Sequence, residues 1–135
     1  MNYVIGIGLS LVVAAFGRWS GFDRDRSFYP TILIVVALYY VLFAVMGGST
    51  QALLIESTIM LAFAAFAVAG FKRSLWLAAA ALAAHGVMDS LHAHLVTNPG
   101  VPEWWPGFCL GYDVGAGLWL ALIIKADGRA LRAVR

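Results

Sequence analysis

Long apolar runs separated by short polar segments make up most of the chain. A helix needs ~20 apolar residues to cross the ~30 Å hydrocarbon core of a bilayer, and these runs approach that length. They are continuous and do not alternate with polar positions as the strands of a membrane barrel do. The pattern predicts five transmembrane helices, over residues 3–17, 28–46, 50–71, 75–95 and 106–126.

The connecting segments support this division into a single transmembrane domain, residues 1–135. Gly47-Gly48-Ser49 is so short that spans two and three must form an antiparallel hairpin. No Lys or Arg precedes the first apolar run, which therefore lacks the basic region of a secretory signal. We expect that run to be a retained span.

The composition of the chain also indicates a membrane protein. The chain is 62% hydrophobic and 12% charged, which is more apolar surface than a soluble core of 135 residues can hide. The single cysteine, Cys109, permits no intramolecular disulfide and gives no information about redox compartment. The predicted fold class is an all-α membrane protein, a bundle of five transmembrane helices.

The basic residues predict the orientation. With five spans, all nine Lys and Arg residues fall on one side of the membrane, in the first and third loops and after span five. The positive-inside rule makes that side cytoplasmic, so the N-terminus is outside and the C-terminus inside. We expect a multi-pass protein with membrane lipids as partners and no nucleic acid, and a homo-oligomer stays open.

Three carboxylates share one predicted depth. Glu56, Asp89 and Asp113 lie on three different spans, each roughly 9 to 10 Å below the outer hydrocarbon boundary at ~1.5 Å of rise per residue. Tyr40 on span two falls at a similar level. The sequence therefore predicts a polar pocket within the outer half of the bilayer, formed by spans two to five.

Span four carries most of the candidate chemistry. His85, Asp89 and His92 follow the spacing i, i+4, i+7 and so form one stripe on a helix, whereas His94 falls on the opposite side. Span five repeats small residues every four positions, a spacing that lets transmembrane helices approach closely: Gly107, Gly111 and Gly115. Asp113 lies off that face, so we expect span five to contact neighbours on two sides.

Three interpretations of the polar pocket remain open. The first is a purely structural set of interhelical hydrogen bonds, each worth only ~0.6 kcal/mol on average in membranes. The second is a divalent metal site, such as zinc, with activated water acting on a lipid as in a hydrolase. The third is a binding or conducting protein that takes up a proton or a small lipid-like ligand without turnover.

The candidate residues are the same for all these interpretations. Imidazole and carboxylate groups suit a divalent metal, and the metal-ligand candidates are Glu56, His85, Asp89, His92 and Asp113. Tyr40 and Tyr112 are further candidates for the pocket because their hydroxyls can donate to the carboxylates. Whether the protein is an enzyme stays undecided.

Each of two polar loops has a functional and a purely structural interpretation. The segment 97–107 contains three prolines and the pair Trp104-Trp105, so it is either a lid over the pocket with Glu103 at its rim or an ordinary aromatic belt. The run Asp23-Arg24-Asp25-Arg26 is either a docking patch or a solvated turn at the membrane surface.

These motifs also carry a resemblance. The strings HGVMDxxHxH and NPGVPxWWPxFCxxYD, at residues 85–94 and 98–113, resemble a group of small bacterial integral membrane proteins without an assigned function, and FDRDRSFYP at 22–30 extends the likeness. The resemblance implies a bacterial inner-membrane location. A second resemblance is to alkaline-ceramidase-like membrane hydrolases, which hold zinc with His and Asp in a bundle of seven spans. Their paired-histidine element is absent here, so no residue role is transferred.

Overall fold

The structure is a computed structural model that describes the backbone of residues 1–133 and the side chains of residues 1–128. Over that backbone range the regular secondary structure is helical, which confirms the predicted all-α class. A short 3-10 helix, Phe22–Arg24, follows the first α-helix. The α-helices are α1 (Asn2–Ser20), α2 (Phe28–Met46), α3 (Thr50–Lys72), α4 (Leu75–Leu95) and α5 (Trp105–Ala133).

The helix bounds follow the polar segments of the sequence closely. α2 and α4 have the bounds predicted for spans two and four, while α1 and α5 continue beyond residues 17 and 126, where their predicted spans end. Ser49 and Ser74 cap α3 and α4, because their hydroxyls accept hydrogen bonds from the backbone N–H groups of Ala52 and Trp76. The short loops at these caps make α2, α3 and α4 successive antiparallel neighbours.

Four of the helices are long and apolar enough to cross a membrane: α1, α2, α3 and α5 as far as Gly128. α4 is not among them, since its C-terminal half carries His85, Asp89, His92 and His94. The polar face of α4 is nevertheless hidden, because this helix packs against α2, α3 and α5. The helix that carries all three histidines therefore lies against three others.

α5 joins the two parts of the bundle. One side of it packs on α4 and the other on α1, which in the described part of the chain has its extensive helix contact with α5 and touches α2 only with side chains, as at Gly17 and Phe28. A Cβ atom on Gly111 would collide with the backbone carbonyl of Tyr3, and one on Gly115 with the Ser10 hydroxyl. The predicted close approach at the glycine stripe thus occurs at two of its three positions, with Gly107 in looser contact.

The loop between α1 and α2 is held by local polar contacts. Arg18 on α1 pairs with Asp23 at 3.1 Å. Asp25 accepts a hydrogen bond of 2.8 Å from the backbone N–H of Ser27, which lowers the pKa of its carboxyl below the ordinary value. Both acidic residues of the Asp-Arg-Asp-Arg run, Asp23 and Asp25, therefore form contacts within a surface turn.

Arg26 connects this loop to the far end of α3. Its guanidinium donates to the carbonyl of Phe71 at 3.1 Å and to that of Gly70 at 3.4 Å. Carbonyls in the last turn of a helix have no partner within that helix, so a cation placed there both pairs with them and favours the helix dipole.

Candidate functional site

Two groups of polar side chains lie buried in the bundle. We call His85, Asp89 and Asp113 the inner cluster, and Glu56 with His92 the outer pair. All five side chains are buried, and the three of the inner cluster are fully so. The groups are contributed by α3, α4 and α5.

The inner cluster centres on the imidazole of His85. Its Nδ1 lies 2.7 Å from Oδ2 of Asp113, in hydrogen-bond contact, and 3.3 Å from Oδ2 of Asp89. His85 and Asp89 share a face because residues four apart on a helix are neighbours. Asp113 reaches them from α5. Gly86 on α4 leaves room for it, because a Cβ atom on Gly86 would lie 3.2 Å from the Cβ of Asp113.

The inner cluster has too few hydrogen-bond partners for its polar atoms. Both carboxylate oxygens of Asp89, Oδ1 of Asp113 and Nε2 of His85 are buried without a hydrogen-bond partner among the described residues. Leaving a buried polar group unpaired costs ~1–3 kcal/mol, and more when it is charged. One ligand atom from each of the three residues lies within 4.8 Å of the others, so the group could hold a metal ion.

The outer pair is a separate contact between α3 and α4. His92 Nε2 lies 2.6 Å from Oε1 of Glu56. The side-chain amide of Asn98 donates to the same oxygen at 3.0 Å and to the backbone carbonyl of Tyr40 at 3.1 Å. Glu56 Oε2 is buried and has no hydrogen-bond partner in the described part of the chain. One oxygen of this carboxylate therefore accepts two hydrogen bonds, and the other accepts none from the described residues.

Tyr40 lies between the two groups. Its ring stacks on that of His92, with centroids 4.2 Å apart, and its centroid is 6.1 Å from the ring of His85. The hydroxyl is buried next to the Asp89 carboxylate. α2 thus supplies an aromatic side chain that lies beside both the inner cluster and the outer pair.

The loop after α4 covers the outer side of these groups. A depression of about 410 Å³ lies there, bordered by His92, Asn98, Glu103 and the three prolines of the loop. Trp105 packs on Tyr39 and Phe43 with ring centroids 4.9 Å apart in both cases. The loop therefore contributes a side chain to the buried groups through Asn98, and it leads into an aromatic contact at Trp105, the first residue of α5.

The seven candidate residues do not form one site. The structure divides the five metal-ligand candidates into the inner cluster and the outer pair, and it places Tyr40 between them. Tyr112 lies elsewhere: it lines an apolar groove of about 380 Å³ formed mainly by α2 and α5, with Leu9 from α1, and it forms no hydrogen bond with the described carboxylates. His94 is exposed, on the other side of α4.

Sequence reasoning missed Asn98 as a partner of Glu56. The signal was present, because Asn-Pro-Gly immediately after a helix is a tight turn, and this one follows the end of the helix that carries His92. Only the pairing of α3 with α4 shows which buried carboxylate lies next to that turn.

No protein-family model, curated protein or solved structure matches the chain.

Proposed function

We propose that this chain is a five-span integral membrane protein that binds a divalent transition-metal cation, such as Zn²⁺, at the inner cluster. The observation that carries the proposal is the position of one imidazole and two carboxylates, fully buried, with ligand atoms within 4.8 Å of one another. Imidazole nitrogen and carboxylate oxygen are ligands that such cations prefer.

Charge balance supports a divalent ion. Two ionised carboxylates and a neutral imidazole carry a charge of −2, which one divalent cation neutralises. Isolated carboxylates within a bilayer cost at least ~2.5 kcal/mol each on insertion scales. Without a cation or protons, the unpaired oxygens of Asp89 and Asp113 would bear that cost at the centre of the bundle.

The ligand set fits a zinc site with an open position. Zinc binds nitrogen and oxygen ligands at ~2.0–2.2 Å and often takes three protein ligands plus water. His85 would bind through Nδ1, giving up any proton held there, because metal ligands must be deprotonated. Asp89 and Asp113 each offer an oxygen near that nitrogen.

The full five-span topology is part of the proposal. α4 lies against α2, α3 and α5, so its polar face can cross the bilayer without meeting lipid. Five spans also place all nine basic residues on one side, which gives an outside N-terminus and an inside C-terminus. The resemblance to small bacterial membrane proteins favours the bacterial inner membrane as the location.

Burial favours cation binding over a purely structural network and over a lipid hydrolase. A structural network would pair its polar atoms, whereas Oδ1 of Asp89, Oδ1 of Asp113 and Nε2 of His85 have no partner in the described structure. A lipid hydrolase must admit an ester or amide to its metal, and all three residues of the inner cluster are fully buried. A small ion needs no such opening.

The test compares Asp89→Asn with His94→Ala. Asparagine keeps the shape of Asp89 and removes its charge, while His94 is an exposed histidine on the same helix. We expect about one zinc ion per chain in the wild type and in His94→Ala after equilibration with Zn²⁺ and removal of excess, measured by elemental analysis and native mass spectrometry. Asp89→Asn should retain less than about a tenth of that, since a lost ligand and charge typically cost several kcal/mol. A wild type without zinc, or an Asp89→Asn variant with a full complement, would refute the proposal.

A further inference from the structure

We propose that the outer pair, Glu56 with His92, is an entry station through which cations pass between the outer depression and the inner cluster. The inference rests on the proposed function of the inner cluster. It assigns a second, transient binding position to residues that are not ligands of the final site.

Access is the first argument. His92 borders the outer depression and also contacts Glu56, whereas no member of the inner cluster borders that depression. A cation that arrives from the outer side therefore meets the outer pair before it can reach Asp89. Asn98, at the edge of the same depression, fixes the orientation of the Glu56 carboxylate.

The chemistry of Glu56 is the second argument. Its Oε1 accepts hydrogen bonds from both His92 and Asn98, so this oxygen is already occupied. Its Oε2 has no partner among the described groups, although the residue is only 1% exposed. A carboxylate held by one oxygen, with the other buried and unpaired, offers a single ligand to a cation. One protein oxygen is too few for tight retention and suits a position in transit.

Tyr40 provides the third argument, because it connects the two positions. Its ring lies on His92 at a centroid distance of 4.2 Å, and its buried hydroxyl is next to Asp89. A cation moving from Glu56 towards Asp89 would meet both the face of the ring and the hydroxyl oxygen. Both attract cations in a desolvated setting.

The distribution of charged residues also favours the entry of cations from the outer side. In the proposed topology every Lys and Arg is on the cytoplasmic side, so the outer depression has no basic residue near it. The exposed Glu103 lies at the edge of the depression and adds a negative charge there. Negative potential at a mouth raises the local concentration of cations and their rate of entry.

An entry station has a kinetic signature that a ligand of the final site lacks. Removing a station that a cation passes in both directions slows loading and release together and leaves the equilibrium occupancy unchanged. Removing a ligand of the final site lowers the occupancy itself. Glu56→Gln is the variant of choice, because glutamine keeps an oxygen for His92 and Asn98 while removing the charge.

The experiment loads metal-free protein, purified in detergent, with Zn²⁺ alone. Samples are quenched with a chelator at increasing times, and bound zinc is measured by elemental analysis. We expect Glu56→Gln to load and release zinc at least tenfold more slowly than the wild type, with final occupancy unchanged. His94→Ala should follow the wild-type time course.

Two results would overturn the entry station. One is a Glu56→Gln variant that loads at the wild-type rate, and the other is a variant that loses zinc at equilibrium, which would make Glu56 a ligand of the final site. If Glu56→Gln is not recovered folded, His92→Gln carries the same expectation and the same refuting results. Failure of the inner site itself appears separately, as zinc retained by Asp89→Asn or absent from the wild type.

Discussion

Asn98 Nδ2 lies 3.0 Å from Glu56 Oε1, so the loop after α4 is tied to a carboxylate in the second turn of α3. The same nitrogen also donates to the backbone carbonyl of Tyr40 on α2. One side-chain amide thus joins the loop to two helices that precede it in the chain. This amide is therefore one of the contacts that hold the loop over the buried groups, together with the close packing of Gly100 on Phe43.

Replacing Asn98 by alanine should loosen the loop over residues 96–104. Glu56 would lose one of its two donors and the Tyr40 carbonyl would lose its side-chain donor, at a cost of ~1–3 kcal/mol for buried groups left unsatisfied. We expect faster hydrogen exchange and faster proteolysis within this segment. Thr97→Ala, at the exposed neighbouring position, should behave as the wild type; equal exchange rates in the two variants would show that the amide does not hold the loop.

The five-span topology predicts the sides of three positions. A reporter fused after Arg135 should be cytoplasmic, and reporters inserted near Gly48 or Gly100 should be external, because the basic residues set the orientation. Fusion activity measured in cells distinguishes the sides. An external reporter after Arg135, or opposite sides for Gly48 and Gly100, is incompatible with five spans and with the shared depth of the three carboxylates.

Zinc should raise the thermal stability of the wild type and not that of Asp113→Asn. A ligand that binds the folded state alone stabilises it by ~2.7 kcal/mol at a hundred times its dissociation constant. The metal-free variant should melt at or above the wild-type temperature, because the substitution removes a buried charge at a functional position. Tm measured with Zn²⁺ and after chelation checks both statements. A zinc-dependent rise of equal size in Asp113→Asn would remove this residue from the site.

Alanine substitutions at two glycines should have opposite effects. Gly111→Ala places a Cβ against the Tyr3 carbonyl and should destabilise the α1–α5 contact by ~1–3 kcal/mol, as overpacking does. Gly8→Ala meets no atom within 4 Å and should be neutral or stabilising by up to ~1 kcal/mol, since alanine favours a helix. Thermal unfolding of the two variants tests the pair, and similar Tm values for both would mean that the close approach does not matter for stability.

The helices could be predicted from sequence because each is bounded by strong local signals. Ser49 and Ser74 mark the starts of α3 and α4, and apolar length determines the rest. The common face of His85, Asp89 and His92 follows from helix periodicity alone, and all three are buried. Such features depend on residues within one helix and need no knowledge of its neighbours.

The grouping of the polar residues could not be predicted, because it depends on how the helices are rotated against one another. Depth alone placed Glu56 with Asp89 and Asp113, but α3 presents Glu56 to His92 instead. Tyr112, next to Asp113 in sequence, faces the apolar groove because adjacent residues point in directions ~100° apart on a helix. Asn98 gains its role only from the packing of a loop on two other helices.

The packing of α1 on α5 has a consequence for how the protein is made. α1 leaves the ribosome before the other helices, yet its helical partner, α5, is synthesised after all of them. In the proposed topology α1 therefore stays in the bilayer without its main helical partner during translation, which its 19 residues and mean hydropathy of 1.5 allow. Docking of α5 against the polar face of α4 and the glycine contact with α1 then complete the bundle together. The packing of α5 thus both encloses Asp113 and anchors α1.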